Sequence, residues 1–392
     1  MPFVVYLLGL AVFAQGTSEF MLSGLVSGIA RDMYVSIPTA GFLTSAFAVG
    51  MVIGAPLMTI LSLRWSRRRS LLTFLIVFLL VHVLGAITTS FGVLLATRVV
   101  GALANAGFLA VALTTATGMV APNAKGRAAS ILLGGITIAC VVGVPAGALL
   151  GQLWGWRSAF WAVAIVSVLA VIAILRAVPA GGSGSTHTSA RGELSSLRDR
   201  RLLVTLLLGA LVNGATFCTF TYLAPLVTVV AGIESAWVPA MLALFGLGSF
   251  LGVALGGRIA DVRPVPLLVT GGVALLIGWV VFAVTAGNPV ATIVLVLVQG
   301  TLAFAVGSTL ISQALYAATK APTLAGGFAT AAFNVGAAIG PWLGGIPISA
   351  GLGYRSPLWV SALLVALALV TLGAAQGIRR WTANPHEDLA TT

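Results

Sequence analysis

The chain has 392 residues, of which 59% are hydrophobic and 7% are charged, and its formal net charge is +12. A soluble globular protein carries roughly 25% charged residues, so this composition leaves too little polar surface for a soluble fold. Nearly charge-free stretches of about 18 residues or more, long enough to cross a bilayer, recur from end to end. The composition therefore predicts an all-α integral membrane protein.

Twelve apolar segments follow one another along the chain, and we predict that each is a transmembrane helix. Because no basic residue precedes the first segment, we expect it to be retained as a true span and not cleaved as a signal peptide. In chain order, spans 1 to 12 are predicted at about 3–29, 38–61, 70–89, 92–120, 128–150, 158–178, 202–230, 237–257, 265–286, 289–316, 325–350 and 357–378.

One connection differs from the other, mostly short loops. The stretch 179–201 is polar and rich in glycine and serine, which is typical of a flexible linker. The chain is therefore predicted to comprise a first six-helix half (1–178), this linker, a second six-helix half (202–378) and a tail (379–392).

The basic residues are distributed unevenly between the two sets of loops. Sixteen of the 20 Lys and Arg residues lie on the side that carries both termini and the linker, whereas Arg31, Arg157 and Arg355 lie on the other side and Arg98 lies inside span 4. Basic residues concentrate in cytoplasmic loops, so we predict cytoplasmic termini in a plasma (inner) membrane. Arginines at the headgroups of membrane lipid account for the net charge, and no nucleic-acid partner is expected.

The two halves share a sequence repeat. Residues 155–161 read GWRSAFW after span 5, and residues 353–359 read GYRSPLW after span 11, with four identical positions 198 residues apart. A repeat unit of six helices is typical of transporters with two pseudo-symmetric halves, whose binding site lies between the halves near the bilayer midplane.

Short motifs of glycine, proline and arginine also recur at matching places. Span 5 contains Gly143-Val144-Pro145-Ala146-Gly147, span 11 contains Gly336, Gly340-Pro341 and Gly344, span 4 contains Arg98 and Gly101, and 256–261 reads GGRIAD after span 8. In order and spacing these motifs resemble those of the major facilitator superfamily, in its twelve-helix drug–proton antiporter branch. The matching stretch after span 2 has the basic cluster 67–69 but lacks the aspartate of that family's pattern. The sequence GTSEF at 16–20 is similar to a subgroup of sugar, arabinose and chloramphenicol-resistance exporters, and the whole chain is most similar to the chloramphenicol-resistance exporters of high-GC bacteria.

Two charged residues lie clearly within predicted spans, Glu19 in span 1 and Arg98 in span 4. A charge at the centre of a membrane helix costs about 2.5–3.5 kcal/mol on insertion scales, so each needs a partner or a function. The two helices run antiparallel and both residues lie at similar depth, so they can pair directly or through water. We interpret Glu19 as the proton carrier and Arg98 as the cation that controls its protonation; a static ion pair is the alternative. His82 in span 3 is predicted to be a hydrogen-bonded packing residue, with a proton relay as the alternative.

Two further groups of residues are candidates for the transport site. A ligand pocket needs an apolar lining with a few polar groups, which selects Phe20, Asn105, Phe108, Asn213, Phe217, Tyr222, Phe333 and Asn334 in spans 1, 4, 7 and 11. Small residues allow close helix contacts and proline bends a helix, so we expect a gate between the halves at Gly143, Pro145, Gly147, Asp261, Gly336, Gly340, Pro341 and Gly344. Ordinary helix packing is the alternative for both groups.

The resemblance implies proton-coupled efflux of a small apolar drug, with chloramphenicol as the first candidate, by a monomer that works by alternating access. Transport of a sugar or another polar metabolite is the alternative, although such a site needs more Asn, Gln, Asp and Arg in the spans than this chain has. No Walker A lysine motif, G-x-S-x-G motif or cluster of metal ligands occurs, so we expect no enzyme activity, cofactor or metal. Cys140 and Cys218 lie inside apolar segments and are expected to be buried, unpaired residues.

Overall fold

The computed structural model describes residues 2–62, 65–121, 124–178, 199–260, 264–317 and 325–383, and within these ranges the regular elements are helices, without a strand. Twelve of the helices are long and apolar enough to cross a membrane, which confirms the predicted fold class of a multi-pass membrane protein. Most of the predicted linker (179–198) and the end of the tail (384–392) lie outside the described residues.

The observed helices replace the predicted bounds of the spans. Spans 1 to 6 are Phe3–Phe20 continued by Leu22–Asp32, Ile37–Ser62, Arg67–Ile87, Phe91–Gly118, Lys125–Ile138 continued by Val144–Trp154, and Arg157–Ala177. Spans 7 to 12 are Arg200–Phe220, Val238–Ala260, Pro264–Thr285, Pro289–Ala317, Ala325–Ser349 and Ser356–Ala383.

Proline explains the break inside span 5. Ala139–Gly143 forms a π-helical turn, in which the N–H of Val144 donates to the carbonyl of Ala139. The next residue, Pro145, has no N–H to offer and therefore cannot continue the backbone ladder. Span 7 ends in a similar way, because Leu223–Pro225 is followed by a π-helical turn at Leu226–Val230. Both interruptions lie on helices that reach the boundary between the halves.

The bundle has two ends, which we name by their loops. The linker face carries the start of span 1 and the end of span 12, and the opposite face carries the loops at 33–36, 88–90, 155–156 and 350–355. The repeated motif turns the chain at the opposite face in both halves, since Gly155 has φ of 80° and Gly353 has φ of 74°. Glycine adopts this left-handed region without the steric cost that a side chain would add.

The motif glycines bring the first and fifth helices of each half into close contact. In the second half, a Cβ atom at Gly336 would overlap the carbonyl oxygen of Ala210, and one at Gly340 would overlap that of Gly214. In the first half, a Cβ atom at Gly143 would overlap the hydroxyl of Thr17. We expected these glycine faces to meet the other half, and the structure instead turns them towards span 7 and span 1 of their own half.

Other surfaces of these helices join the halves. Spans 2 and 11 meet near the opposite face, where a Cβ atom at Gly345 would lie 3.3 Å from Cβ of Pro38. Spans 5 and 8 meet nearer the middle, where a Cβ atom at Gly246 would overlap the carbonyl of Cys140. The Gln152 amide donates to the carbonyl of Ser235 at the opposite face. These contacts lie between the middle of the bundle and the opposite face, so the halves are closed together there.

We predict that Gly340→Ala destabilises the second half, because its methyl group would overlap the backbone of span 7. Overpacking of this kind costs about 1–3 kcal/mol, and the apparent unfolding temperature in detergent should fall. Gly327→Ala is the matched control, since the same helix has open space within 4 Å of that position. There alanine should be neutral or stabilising. Equal shifts for the two variants would contradict the close contact between spans 7 and 11.

Candidate functional site

Arg98 is buried in the first half, at 1% exposure. Its Nη1 donates to Ser18 Oγ at 2.8 Å and its Nη2 donates to the Ser18 carbonyl at 2.7 Å. The guanidinium carbon lies 4.5 Å from the ring centroid of Phe47, within the range of a cation–π contact. The Arg98 Nε atom has no hydrogen-bond partner among the described residues. Spans 1 and 2 therefore supply the partners of the cation.

His82 extends this network to span 3. Its Nδ1 lies 2.6 Å from the Phe78 carbonyl, and its Nε2 lies 2.6 Å from Ser18 Oγ. A carbonyl only accepts, so Nδ1 carries a hydrogen, and in the neutral ring Nε2 then accepts from the Ser18 hydroxyl. That leaves the lone pairs of Ser18 Oγ for Arg98. His82 is hydrogen-bonded, as predicted, and it fixes the orientation of the hydroxyl to which Arg98 is bound. Nothing in the sequence alone marks Ser18 or Phe47 as a partner of Arg98.

Glu19 follows Ser18 in span 1 and is half-buried. Among the described residues, one ion pair has a nitrogen–oxygen distance within 4.0 Å, and it joins Arg157 to Asp32. Glu19 is not part of an ion pair at that distance. Arg98 is thus hydrogen-bonded to Ser18, the residue beside Glu19. The direct ion pair between Arg98 and Glu19, one of the two arrangements that their similar depth allowed, is not formed.

An aromatic chamber lies between the two halves. The space between its rings is about 10 Å³, enough for about one water molecule, whereas pockets for drug-sized ligands measure roughly 300–1,000 Å³, so the rings are packed together in this conformation. The lining comes from spans 1, 5, 7, 8 and 10: Phe20, Cys140, Thr216, Phe217, Phe220, Phe245 and Phe304. The rings contact one another, with centroids 5.7 Å apart for Phe20 and Phe217 and 4.5 Å apart for Phe220 and Phe245. Because Phe20 adjoins Glu19, the chamber and the carboxylate share one turn of span 1.

The chamber brings together Phe20 and Phe217 of the eight predicted lining residues. Phe108 packs in the apolar core of the first half near the linker face. The amide of Asn105 lies 3.5 Å from the sulfur of Met51, and Asn213 donates to the Phe333 carbonyl at 2.7 Å. Asn334 donates to the Thr330 carbonyl of its own helix at 3.0 Å.

Tyr222 lies where span 7 meets spans 2 and 11. Its hydroxyl donates to the Pro341 carbonyl at 2.8 Å, and Gly41 and Gly345 leave room for the hydroxyl group. In this conformation Tyr222 therefore belongs to the closed contact between the halves. Asp261, the remaining gate candidate, lies outside the described residues.

A second polar cluster fastens the opposite face within the first half. Arg157 forms an ion pair with Asp32 and donates to the Thr88 carbonyl at 3.0 Å. The indole N–H of Trp156 donates to the same Asp32 oxygen at 3.0 Å. Arg157 and Trp156 together hold the Asp32 carboxylate at the end of span 1. The arginine of the repeated motif thus connects the ends of spans 1, 3 and 6.

The comparisons with known proteins agree with this architecture. A family model for the Major Facilitator Superfamily matches residues 8–326. The chain belongs to the major facilitator superfamily. This membership confirms the resemblance that the glycine and arginine motifs indicated, and it identifies the twelve-helix bundle as a transporter fold.

Several known proteins align with nearly the whole chain. A Chloramphenicol resistance protein of Streptomyces lividans is 54% identical over 373 residues, covering 94% of this chain and 95% of that protein. The Inner membrane transport protein YdhP of Escherichia coli K12 is 36% identical over 364 residues, covering 93% of each. The Putative transporter AraJ of the same organism is 25% identical over 374 residues, covering 94% of each.

Solved structures of more distantly related transporters share the fold. A bacterial homologue of the human lysosomal transporter Spinster, in an inward-facing and unoccupied conformation, superposes with a TM-score of 0.77 at 18% identity, covering 94% of this chain and 95% of that one. The nucleoside transporter NupG superposes with a TM-score of 0.76 at 12% identity, covering 95% and 99%. At these identities the likeness establishes the arrangement of helices.

We predict that Ser18→Ala destabilises the first half, because it removes the hydroxyl that accepts from Arg98 and binds His82. Leaving a buried polar group without its partner costs about 1–3 kcal/mol, so the apparent unfolding temperature in detergent should fall. Ser23→Ala is the matched control in the same span, since the Ser23 hydroxyl donates to the Phe20 carbonyl of its own helix. A shift for Ser18→Ala no larger than that for Ser23→Ala would contradict the importance of this network.

Proposed function

We propose that this superfamily member exports a small apolar drug in exchange for protons, with chloramphenicol as the first candidate. The observation that carries the proposal is the cluster of phenylalanine rings between the halves, which includes the chain neighbour of the intramembrane carboxylate Glu19. These rings would part to admit a drug in another state of the transport cycle. The 54% identity to a Chloramphenicol resistance protein over nearly the whole chain supports the same class of substrate.

The chamber lining favours an apolar, aromatic substrate over a sugar. Five of its seven residues are phenylalanines, which offer ring faces and edges for stacking. The Thr216 hydroxyl already donates to the Val212 carbonyl of its own helix at 2.9 Å. A sugar would bury several hydroxyl groups here without enough partners, and an unpartnered buried hydroxyl is costly. An aromatic drug gives up few hydrogen bonds to water when it moves into the same surroundings.

Coupling to protons would depend on the movement of span 1 relative to span 4. An intramembrane carboxylic acid gains or loses its proton according to its solvation and to the distance of the nearest cation. Here Arg98 is bound to Ser18, one residue before Glu19. A small displacement or rotation of span 1 would therefore change the separation between the guanidinium and the carboxylate. A drug that enters beside Phe20 acts on the same helical turn.

Alternating access would use the boundary between the halves. The contacts at the opposite face would part in a second state, while the linker face closes. We place the linker face in the cytoplasm and the chain in the plasma membrane, because the basic residues concentrate at that face. We propose that a monomer carries out this cycle, because the two halves of one chain supply both sides of the boundary.

We predict that Glu19→Gln abolishes export. In cells that lack their own drug pumps, the intact protein should lower chloramphenicol accumulation, and Glu19→Gln at equal expression should restore it to the level of cells without the protein. The amide keeps the size of the side chain and removes its ability to release a proton. A protonophore should have the same effect on cells that carry the intact protein.

Glu234→Gln is the matched control, because Glu234 is exposed in a loop at the opposite face. It should leave export unchanged. Unchanged accumulation with the intact protein would refute chloramphenicol as the substrate and favour the polar-metabolite alternative. Export that survives Glu19→Gln but is lost with the protonophore would move the proton site to another residue.

We also predict that Phe217→Leu weakens drug binding by loss of ring contacts inside the chamber. An aromatic pair contributes about 0.5–1.5 kcal/mol beyond its buried area, so KM for export should rise about twofold to tenfold while the leucine preserves an apolar wall. Phe250→Leu is the matched control, since Phe250 faces outward from span 8 with 50% exposure. Equal kinetics for both variants would remove Phe217 from the binding site.

A further inference from the structure

One buried amide of the first half has no hydrogen-bond partner. Gln15 lies in span 1 at 1% exposure, and neither its side-chain nitrogen nor its side-chain oxygen is bonded to another described residue. An amide that leaves water without forming new hydrogen bonds destabilises a fold. An apolar side chain of the same size would avoid this cost, so the amide points to a partner that it meets in another state of the molecule.

A polar partner lies one turn further along the same helix. Gln15 and Glu19 both belong to the continuous α-helix Phe3–Phe20. Side chains four residues apart lie on the same face of a helix, with Cβ atoms about 5–6 Å apart, and at this spacing a glutamine can bond to an acidic side chain. Glu19 has no ion-pair partner within 4.0 Å in the described ranges. A change of side-chain rotamer is therefore enough to bring the amide to the carboxyl group, without movement of the helix.

The second half shows what the corresponding amide does where no carboxylate is present. Asn213 follows Gln15 by 198 residues, the same spacing as the repeated motifs, and it lies in span 7, the counterpart of span 1. Its amide donates to the Phe333 carbonyl of span 11 at 2.7 Å. At the same spacing, the counterpart of Glu19 is Phe217. The half that has phenylalanine thus bonds its amide to another helix, whereas the half that has the carboxylate leaves its amide without a partner.

The titratable groups around Glu19 do not compete for the amide. Arg98 of span 4 and the thiol of Cys140 of span 5 lie within electrostatic reach of Glu19. Arg98 is bonded to Ser18, and so is His82 of span 3. Span 2 contains no charged residue between positions 37 and 62, and the other basic residues of spans 5 and 6 lie at the helix ends. The titratable side chains of span 7 at this level donate to carbonyls of the second half: Cys218 and Tyr222. The Gln15 amide can therefore reach the carboxylate without breaking an existing hydrogen bond.

An amide can bond to both forms of a carboxyl group. Its oxygen accepts from the protonated acid, and its nitrogen donates to the carboxylate. A hydrogen bond to the charged form is roughly twice as strong, so the amide stabilises Glu19 after the acid has released its proton to water. It also gives the carboxylate a partner other than Arg98, which can then keep its bonds to Ser18.

We propose that Gln15 is a positioning residue for proton exchange, whose amide binds the Glu19 carboxylate after Glu19 has released its proton. This inference rests on the proposed role of Glu19 as the proton carrier. It adds the residue that sets the pH range over which Glu19 exchanges its proton.

The test follows the protonation of Glu19 directly and needs no substrate. The infrared carboxyl band of the purified intact protein is recorded over a pH titration, and the Glu19→Gln spectrum is subtracted so that the remaining signal belongs to Glu19. Gln15→Met keeps the size of the side chain and removes both hydrogen-bonding atoms. Its half-titration point should lie about one pH unit above that of the intact protein, because the carboxylate has lost a donor.

Gln299→Met is the matched control. Gln299 is also an amide at 1% exposure whose oxygen has no partner among the described residues, but it lies on span 10 in the other half. Its substitution should leave the Glu19 titration unchanged. Gln15→Met should unfold in detergent at the same temperature as the intact protein or a higher one, since it removes an unpartnered buried amide. Gln15→Leu gives the same comparison if the methionine variant does not accumulate.

The outcomes separate the inference from the proposed function. A half-titration point that stays unchanged in Gln15→Met, or moves to lower pH, would overturn the role of Gln15 and leave Glu19 as the proton carrier. An equal shift in Gln299→Met would also overturn it, because the effect would then come from altered packing. If Glu19 does not titrate in the intact protein, the proposed proton carrier fails and the inference fails with it. Drug export itself is judged separately, from the accumulation of chloramphenicol in cells.

Discussion

A guanidinium inside an apolar helix bundle must be provided with hydrogen-bond acceptors, and this requirement organises the first half of the molecule. Arg98 obtains them from Ser18 of span 1, and it faces the ring of Phe47 of span 2. His82 of span 3 orients the Ser18 hydroxyl. One cation therefore connects the first four spans, and the serine that it binds is the neighbour of Glu19. If spans 1 and 4 move together, these hydrogen bonds are kept. If the two spans separate, the bonds break and the guanidinium needs new acceptors.

The same segment of span 1 also reaches the other half. Phe20 contacts Phe217 across the boundary, and Cys140 of span 5 completes the wall between them. Substrate binding and proton binding would thus act on adjacent residues of one helix. A ligand can shift a conformational equilibrium only by its differential affinity for the two states. Under the proposed mechanism, a proton at Glu19 and a substrate at Phe20 would bias the same two conformations of span 1.

The spans could be predicted from sequence because the bilayer imposes one simple rule on length and polarity. Glu19 and Arg98 could be singled out as candidates from the sequence because charge within a span is rare. Their surroundings could not: Ser18 and Phe47 belong to residue types that occur throughout membrane helices, and only the tertiary fold brings them to Arg98. Phe220 and Phe245 were missed for the same reason, since an aromatic residue in an apolar helix carries no signal of the face on which it lies. The glycine motifs marked close helix contacts but not which helix would be the partner.

The two halves are alike in their helix contacts and turns, but they differ in the polar side chains of their interior. In both halves glycines bring the first and fifth helices together, and Gly155 and Gly353 form equivalent turns. In the interior the equivalence ends, because the second half has the neutral Gln299 near the position where the first half has Arg98. A second buried cation would raise the cost of inserting the chain and would need acceptors of its own. With neutral residues there the second half avoids that cost, and the Thr219 hydroxyl of span 7 is hydrogen-bonded to Ser361 of span 12.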